Sequence, residues 1–441
     1  MLTRLARVRP FALIMPAVPA AAVSVAAQNA IETYLARGRR ELRNRLVQFL
    51  LWIHGAQGRS ATPADLQRRF TMLRLRFNVV LNHFDIFADV LAQRAEHETG
   101  TFCSGLDVVA AEALSLPGVQ LREVPPVICY LERNPGAAIR RARTRLPGGG
   151  ENPVAIVRVP RERMVSSGVA SSLVHEVGHQ GAALLQLVES LRPALQAKQL
   201  ATTGAEQVAW RLWERWISEV VADLWSVSRV GIASTLGLIG VVSLPRAFVF
   251  RINGDDPHPP PWIRVRLSCE IGAALYPHPQ WRRLARLWES LYPLSDASEA
   301  LRPVFSVLER MKRPFIDLLL AHRPAAFGGR SMRDVFQSTE RQPKHLSQLF
   351  HSWRGRPELM RDNAPTLVFA AIGQARAEGT ITPEEESKWL AYLLTYWALR
   401  GTHDTAEVCA TDARVRLGWH RAPIHPASPL PVPRPAAMTA V

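Results

Sequence analysis

The stretch of sequence that decides the fold is Ser172-Leu173-Val174-His175-Glu176-Val177-Gly178-His179. It contains two histidines four residues apart in an apolar run, with a glutamate directly after the first. Residues four apart lie on the same face of an α-helix, so both imidazoles would point at one spot. Glu176 could reach a water bound at that spot. Neutral ring nitrogens, an open coordination position and a nearby carboxylate are what zinc-dependent hydrolysis requires.

The surrounding sequence predicts that this motif lies on a helix with one buried side. A predicted strand at residues 154–159 is followed by a linker rich in serine and glycine, and apolar residues then recur at helical spacing through residue 188. Gly178 lowers helix propensity by about 1 kcal/mol relative to alanine. A glycine at this position is explained if the backbone of another element comes close to the metal ligands.

A third ligand is expected downstream, because catalytic zinc usually takes three protein ligands. The apolar, helical segment 213–225 contains Glu219 and Asp223, which are four residues apart and share a face. We predict that Glu219 binds the metal. We predict that Asp223 accepts the free ring N–H of a ligand histidine, with His175 as the first candidate, and so fixes its tautomer. Glu214 is the rival third ligand, although no aspartate follows it four residues later.

A proline-rich loop supplies a further candidate side chain. His258 precedes Pro259 and Pro260 in a stretch that opens a helix, and the stiff chain suits a side chain held without helical support. A role in the active site and the role of an ordinary loop histidine are both open for His258. His278 lies in a similar proline-flanked segment, and we predict a structural role for it.

Together these motifs resemble those of the gluzincin zinc metallopeptidases, with the family of CaaX prenyl endopeptidases and heat-shock membrane proteases as the nearest match. That family shows HExxH, ExxAD and HPPxxxRI in this order, and this chain has related segments at residues 175–179, 219–223 and 258–265. The resemblance covers residues 124–270. The residues to which it assigns roles are the zinc ligands His175, His179 and Glu219, the general base Glu176, Asp223 beside a ligand histidine, and the active-site residue His258.

The resemblance implies hydrolysis of a peptide bond in a protein or peptide substrate, with one zinc ion per chain. A zinc-stabilised, catalytically inactive interaction scaffold is the alternative, and a protease that cleaves itself or a single target is a narrower one. In gluzincin folds an edge strand beside the zinc helix binds extended substrate by strand addition. By this resemblance, residues 154–159 are the expected edge strand.

One departure from the family concerns the membrane, in which many of its members are embedded. The apolar run at residues 230–244 is too short and too interrupted by glycine for a good transmembrane helix. We therefore predict no transmembrane span, and a buried helix behind the metal site in its place. An interfacial or re-entrant role is the alternative for this run.

The charge of the chain does not by itself predict a nucleic-acid partner. The 441 residues carry a formal net charge of +16, but almost all the positive charge is arginine, which is typical of a GC-rich genome. The arginines are spread along the chain, and no alternation of basic and aromatic residues indicates base stacking. A basic nucleic-acid-binding protein remains a rival, and steep salt dependence of binding would favour it. The sequence predicts no oligomeric state.

The cysteines and the N-terminus bear on the compartment. Cys103, Cys129, Cys269 and Cys409 are far apart and form no CxxC pair, which predicts reduced, mostly buried thiols and a cytoplasmic protein. The apolar segment at residues 11–27 follows several arginines and resembles a signal peptide, so export is the alternative. Met15 could also be the true start in place of Met1.

These features predict a mainly α fold with a small β element (α+β), in which a gluzincin-like zinc-helix core is flanked by helical regions. Strands are expected at residues 127–131 and 154–159, and a capping box is expected to start a helix after Thr382. Trp213, Trp216 and Trp225 are expected in the core.

The predicted regions are an apolar N-terminal segment (1–27), an N-terminal helical region (28–120), the metallopeptidase core (121–275), a C-terminal helical region (276–421) and a disordered tail rich in proline and alanine (422–441).

Overall fold

The two predicted strands form a sheet together with a third strand that was not predicted. The computed structural model describes residues 1–11, 18–121, 123–133, 137–146, 149–161 and 166–416. Within these ranges the strands are β1 (Val127–Glu132), β2 (Ala138–Arg140) and β3 (Ala155–Pro160). Their order is β1-β3-β2, with β3 parallel to β1 and antiparallel to β2.

The position of β3 shows that one prediction was wrong. Residues 154–159 were expected to form an edge strand that accepts an extended substrate. β3 is instead the central strand and pairs with β1 on one side and β2 on the other. Its backbone N–H and C=O groups already form hydrogen bonds to these strands and cannot bind a substrate strand. The shorter β2 forms an edge of the sheet. With only three residues, it shows too little apolar alternation to be recognised from the sequence.

The rest of the described chain is mainly helical, as predicted. The helices before the sheet are α1 (Leu2–Arg7), α2 (Val25–His54), α3 (Ala56–Arg59), α4 (Pro63–Ala92) and α5 (His97–Leu114). The helices after the sheet are α6 (Ser167–Leu184), α7 (Leu187–Leu200), α8 (Gly204–Val230), α9 (Ile232–Val242), α10 (Arg246–Val249), α11 (Pro261–Leu275), α12 (Pro279–Leu291), α13 (Arg302–Ala321), α14 (Met332–Phe336), α15 (Pro343–Trp353), α16 (Pro365–Ala377) and α17 (Pro383–Arg416).

The sheet separates two apolar clusters because successive side chains of a strand point to opposite faces. Ile128 and Ile156 contribute to the smaller cluster, which is built mainly from α2 and α4. Cys129 and Val157 contribute to the larger cluster. α5 packs on β1 and α6 packs on β3, so the candidate metal helix lies directly against the sheet.

Glycines allow α6 and α8 to pack closely at the metal ligands. A Cβ atom on Gly178 would lie 3.1 Å from Cα of Ala222, and one on Gly181 would overlap the ring of Trp225. This confirms that the backbone of another element approaches the motif at Gly178. Trp225 is fully buried at this contact and donates from Nε1 to the carbonyl of Ala113 at 2.9 Å. The predicted burial of Trp213, Trp216 and Trp225 is confirmed.

The motif helix ends earlier than the apolar period indicates. The sequence predicts a helix through residue 188, but α6 ends at Leu184 and α7 begins at Leu187. Gln186 between them has a left-handed backbone with φ of 53°. The break redirects the chain so that α7 packs along α8, and the apolar period continues because both helices bury one face in the same cluster.

The apolar run at residues 230–244 forms α9, and only part of it is buried. Its first turn, including Thr235, is buried behind the site, where Thr235 Oγ1 lies 2.7 Å from Ser268 Oγ. Leu238 and Val241 further along are half-buried and line a cavity. The predicted buried helix is thus confirmed for its first turn and for Val242 at its end, whereas its middle is half-buried or exposed. None of the helices within the described residues is long and apolar enough to cross a membrane.

The last helix supports the start of the motif helix. The predicted capping box is confirmed: the Thr382 backbone N–H donates to Glu385 at 2.9 Å, and the Glu385 N–H donates to Oγ1 of Thr382 at 3.2 Å. The buried carboxylate of Glu386 accepts the backbone N–H of Ser167 at 2.7 Å, which satisfies a free donor in the first turn of α6.

Several expectations about the ends of the chain fall outside the described residues. The described residues from Met1 to Thr402 form one compact unit, and a second unit begins at His403. The predicted tail and residues 12–17 of the N-terminal segment are not described. Cys103, Cys129 and Cys269 are free and buried, as predicted. Burial raises the pKa of Cys103 to about 12, so this thiol stays protonated at neutral pH. The side chain of Cys409 lies outside the described set.

Candidate metal centre

His175, His179 and Glu219 converge where α6 and α8 meet. Their ligand atoms all lie within 4.8 Å of one another. Nε2 of His175 is 3.3 Å from Oε2 of Glu219, and Nε2 of His179 is 3.3 Å from Oε1. Ligand atoms of a tetrahedral site with bonds near 2 Å are separated by roughly 3.3 Å. The three side chains could therefore hold a metal ion, and two imidazoles with one carboxylate suit zinc, iron or manganese.

The rival ligand Glu214 lies apart from this cluster. It is on the same helix as Glu219, but its carboxylate faces α7 and accepts hydrogen bonds from Gln196 at 2.8 Å and Gln199 at 2.5 Å. These contacts use both oxygens of Glu214. The sequence favoured Glu219 because Asp223 follows it four residues later, and the structure likewise places Glu219, and not Glu214, beside the two histidines.

Asp223 contacts the histidine that was expected. Nδ1 of His175 lies 2.8 Å from Oδ1 of Asp223, at ion-pair distance, although the ring is not aligned for a linear hydrogen bond. Burial opposes protonation of His175, but Asp223 and Glu219 outweigh it and raise the pKa of this histidine to about 9. Burial likewise opposes the charge of Asp223, yet Arg264 and His175 lower the pKa of Asp223 to about 2. In the metal-free protein the two form a charged pair at neutral pH.

Arg264 is a member of the site to which the sequence assigned no role. From α11, Nε of Arg264 donates to Oδ2 of Asp223 at 2.8 Å, and Nη2 donates to Oδ1 at 2.9 Å and to Oε2 of Glu219 at 3.2 Å. Burial works against the guanidinium charge, but the two carboxylates raise its pKa. The buried carboxylates therefore have the fixed cation that buried charge requires. The available signal was the place of Arg264 in the third motif.

Ser218 is a second contact that the sequence analysis missed. Its Oγ lies 3.3 Å from Nδ1 of His179, on the side of the ring away from Glu219. A partner on Nδ1 fixes which nitrogen of the ring is free to bind a metal. Ser218 directly precedes Glu219 in the sequence, so one turn of α8 supplies both a candidate ligand and a partner for another.

His258 lies at the rim of the cluster. Nε2 of His258 is 3.4 Å from Oε2 of Glu219, and Nδ1 is 2.6 Å from Oδ1 of Asp256. About half of the His258 side chain is exposed to solvent. The proline-rich loop thus places this imidazole beside the candidate ligands. His278, by contrast, accepts the backbone N–H of Gln280 at 3.4 Å and caps α12, which is the structural role predicted for it.

A cavity of about 570 Å³ opens onto these residues. Glu176, His175 and His258 line its polar side, and Ala137, which directly precedes edge strand β2, also lines it. An apolar wall from α9 and the segment after it faces them, formed by Leu238, Val241, Val242, Leu244 and Phe248. A candidate metal ligand, a carboxylate, an apolar wall and the residue before edge strand β2 therefore meet in one concave space, which is the usual arrangement of a ligand site.

The glycine contact gives a first prediction. Gly178→Ala is expected to lower the free energy of unfolding by about 1–3 kcal/mol, because the added methyl group presses on the Ala222 backbone. Gly240→Ala is the matched control: this glycine is also helical but has open space at Cβ, so alanine should stabilise by about 1 kcal/mol. Urea unfolding of the zinc-free proteins measures both. Equal effects of the two substitutions would contradict the close contact of α6 and α8.

The raised pKa of His175 predicts a pH dependence of metal binding. Below about pH 9 His175 carries a proton that must leave before Nε2 can bind a metal. Zinc affinity should therefore rise about tenfold per pH unit up to about pH 9 and level off above it. Titration calorimetry in two buffers with different ionisation enthalpies counts the released protons. An affinity that is the same at about pH 7 and about pH 8 would contradict a protonated His175.

The function of the site has to be inferred from its own geometry. Comparisons with protein-family models, with curated proteins and with solved structures found no match to this chain. The described residues provide three convergent side chains that could hold a metal, an adjacent carboxylate and a buried Asp–Arg pair. Of these residues, His175, Glu176, Asp223 and Arg264 line one cavity.

Proposed function

We propose that the protein is a zinc-dependent peptidase of the gluzincin type. The observation that carries the proposal is that Glu176, the residue next to candidate ligand His175, lines the same cavity as that ligand. A carboxylate beside an open metal position is the group that such an enzyme uses to move protons. The motifs that resemble the CaaX prenyl endopeptidase and heat-shock membrane protease family support the same class.

His175, His179 and Glu219 would hold the zinc ion. When bound, zinc polarises a carbonyl and lowers the pKa of a water molecule to about 7. Glu176 accepts a proton from the attacking water and delivers it to the departing amine. His258, which is half exposed at the rim of the cluster, donates a hydrogen bond to the substrate oxygen that gains negative charge. Asp223 and Arg264 hold His175 and Glu219 in place.

The shape of the cavity favours a peptide as the substrate. Within the described residues β2 has no strand partner on the side away from β3, and an extended peptide can add to such an edge. Ala137, next to β2, lines the cavity, so a peptide on this edge would pass Glu176. The apolar wall opposite would receive an apolar side chain of that peptide. β2 thus replaces β3 as the strand expected to bind substrate.

A peptide-library digest tests the proposal. The purified protein with added zinc is incubated with mixed peptides, and mass spectrometry identifies new termini over time. Cleavage that stops with a chelator and returns with zinc supports a zinc peptidase. A protein that binds zinc but produces no new termini from peptides or unfolded proteins, itself included, would contradict it.

The charge of Asp223 is expected to matter for zinc affinity. Asp223→Asn preserves shape but removes the charge that pairs with Arg264 and His175, and should weaken zinc binding about 10–100-fold. The exposed Asp317→Asn, which breaks a surface pair with Arg313, is the control and should leave zinc affinity unchanged. Competition with a chromophoric chelator measures both. If the Asp223→Asn protein binds zinc with the same affinity as the wild type, Asp223 does not contribute to zinc binding.

One observation favours the inactive scaffold as a second candidate. Nη2 of Arg264 lies 3.3 Å from Nε2 of His175, the atom that would bind the metal. Arg264 also donates to Asp223 and to Glu219, so this guanidinium holds the two carboxylates together in the absence of a metal. For a scaffold, zinc would raise the melting temperature without any cleavage, and Glu176→Gln would change neither the melting temperature nor partner binding.

A further inference from the structure

The far end of the α2–α4 hairpin, residues 47–72, has no fully buried side chain. The buried residues of α2 end at Leu46 and those of α4 begin at Leu73. In the described segment 47–72 between them, Gly58 is buried but has no side chain, and Phe49 packs half-buried against the core. We call residues 43–76 the hairpin tip. It comprises the end of α2, the short α3 and the start of α4.

The hairpin tip exposes large aliphatic side chains. Leu51 is 69% exposed, Met72 64% and Leu75 55%, and Val47, Leu50 and Phe70 are exposed as well. Val47, Leu50 and Leu51 are spaced three and four apart, so they form one continuous face of α2. Exposed apolar area costs about 25 cal/mol per Å², and a continuous apolar face such as that of α2 marks an interaction surface.

The same segment is strongly basic. Residues 43–76 contain seven arginines and one aspartate, with no lysine or glutamate, for a net charge of +6 (7 minus 1). Arg43, Arg59 and Arg74 are exposed to solvent. Asp65 is paired with Arg68 at 3.8 Å, and Glu41, just before this range, is paired with Arg45 and Arg76. Including Glu41 leaves a net charge of +5 (7 minus 2) for residues 41–76. The excess positive charge therefore lies among the exposed aliphatic residues.

A groove of about 980 Å³ runs between the two helices of the tip. Phe49, Trp52 and Met72 line it, together with Arg68 and Arg69. The Arg69 guanidinium lies over the Trp52 ring, 4.2 Å from its centroid. Aromatic rings with arginine beside them are suited to an interface between an apolar phase and an aqueous, anionic one.

The positive charge and the exposed apolar side chains of the hairpin tip together indicate which kind of partner it can bind. A second copy of the chain would bring two surfaces of +6 together, and like charges oppose that contact. A nucleic acid would use the arginines and aromatic rings, but it offers nothing to aliphatic Leu51, Met72 and Leu75. An anionic lipid bilayer satisfies both sets, because phosphates attract the arginines and acyl chains accept the aliphatic side chains.

We propose that the hairpin tip docks the protein on the surface of an anionic lipid bilayer. The helices lie at the interface and do not cross it. Leu51, Met72 and Leu75 enter the boundary between head groups and acyl chains, while the arginines contact lipid phosphates. Binding does not involve the metal centre, so it should be the same in the Glu176→Gln protein and in the presence of a chelator.

Vesicle flotation tests this proposal on the full chain. The protein is mixed with vesicles of phosphatidylcholine alone or of an equal mixture of phosphatidylcholine and phosphatidylglycerol, and is then centrifuged through a density gradient. We expect flotation with the anionic vesicles alone, and a loss of binding as salt is raised.

Two variants separate the charge from the apolar contact. Arg43→Gln, Arg59→Gln and Arg74→Gln together should weaken vesicle binding at least about tenfold. Leu51→Gln with Met72→Gln should also weaken it about tenfold. The controls are Lys198→Gln, Arg211→Gln and Arg215→Gln for charge, and Leu200→Gln with Val208→Gln for apolar exposure. These residues are exposed on α7 and α8, and their substitution should leave binding unchanged.

Three outcomes would overturn the proposal. The first is no flotation with either kind of vesicle. The second is equal loss of binding in the hairpin variants and the controls, which would indicate attraction by net charge alone. The third is vesicle binding that survives Leu51→Gln with Met72→Gln and is displaced by polyuridylate, which would identify a nucleic-acid surface instead. Circular dichroism confirms folding, and since all substituted residues are exposed, the variants should fold like the wild type.

Discussion

Glu176→Gln is expected to abolish peptide hydrolysis and to leave zinc bound. Glutamine keeps the shape of the side chain but cannot accept the proton of the attacking water. Loss of a positioned general base should slow turnover by about 10²–10⁴-fold. The three candidate ligands are untouched, so zinc content should equal that of the wild type. The readouts are the rate of cleavage of a peptide from the library digest and the zinc content of the same preparation.

Glu189→Gln is the matched control, because Glu189 is exposed on α7, outside the cavity lining. It should retain full activity and full zinc content. Full hydrolysis by the Glu176→Gln protein would refute the proposed mechanism even if zinc is present. Loss of zinc together with activity would give Glu176 a role in binding the metal and would leave the base unidentified.

His179→Ala is expected to remove zinc from the site. It deletes one of three ligands and leaves Glu219 with two imidazole neighbours, His175 and His258, in place of three. Since loss of a residue that merely orients a ligand costs about 10–100-fold in affinity, loss of a ligand itself should exceed about a thousandfold. Competition with a chromophoric chelator measures the affinity, and peptide cleavage should be lost in parallel.

His345→Ala controls for the loss of a histidine, since His345 is exposed on α15. It should bind zinc like the wild type. A thermal melt without metal separates a folding defect from a binding defect in the His179→Ala protein. A variant that is folded and still binds zinc with the affinity of the wild type would exclude His179 as a ligand.

The centre of the site could be predicted because its chemistry is local. His175, Glu176 and His179 share one helical turn, and the four-residue spacing of Glu219 and Asp223 fixes a common face. Periodicity and spacing therefore suffice to propose which side chains face the same way. They also account for the preference for Glu219 over Glu214, which the structure places against α7.

The contacts made by Arg264 and Glu386 could not be predicted because they join residues that are distant in sequence, and no motif assigns a role to either of the two. Arg264 reaches Asp223 across 41 positions, and this depends on how α11 packs beside α8. The cap that Glu386 provides for Ser167 spans 219 positions. No periodic pattern encodes such pairs. The edge position of β2 has a similar cause, because strand order follows from tertiary packing and a strand of three residues carries little pattern.

The basic, aliphatic character of the hairpin tip was also hidden in the sequence. The chain carries arginine throughout, so the local excess in residues 43–76 does not stand out in the composition. The apolar residues of α2 and α4 predict one buried face for each helix. Only the structure shows that Leu50 and Leu51 lie on the exposed side of α2 and that burial along α2 ends at Leu46.

Elemental analysis of the purified wild-type protein, beside the His179→Ala protein, tests the central claim most directly. The account predicts about one zinc ion per wild-type chain and none in the variant. Both proteins are measured as purified, after treatment with a chelator, and after zinc is added back and excess is removed. Absence of bound metal from both proteins at every stage would contradict a metal centre at His175, His179 and Glu219, and with it the proposed peptidase.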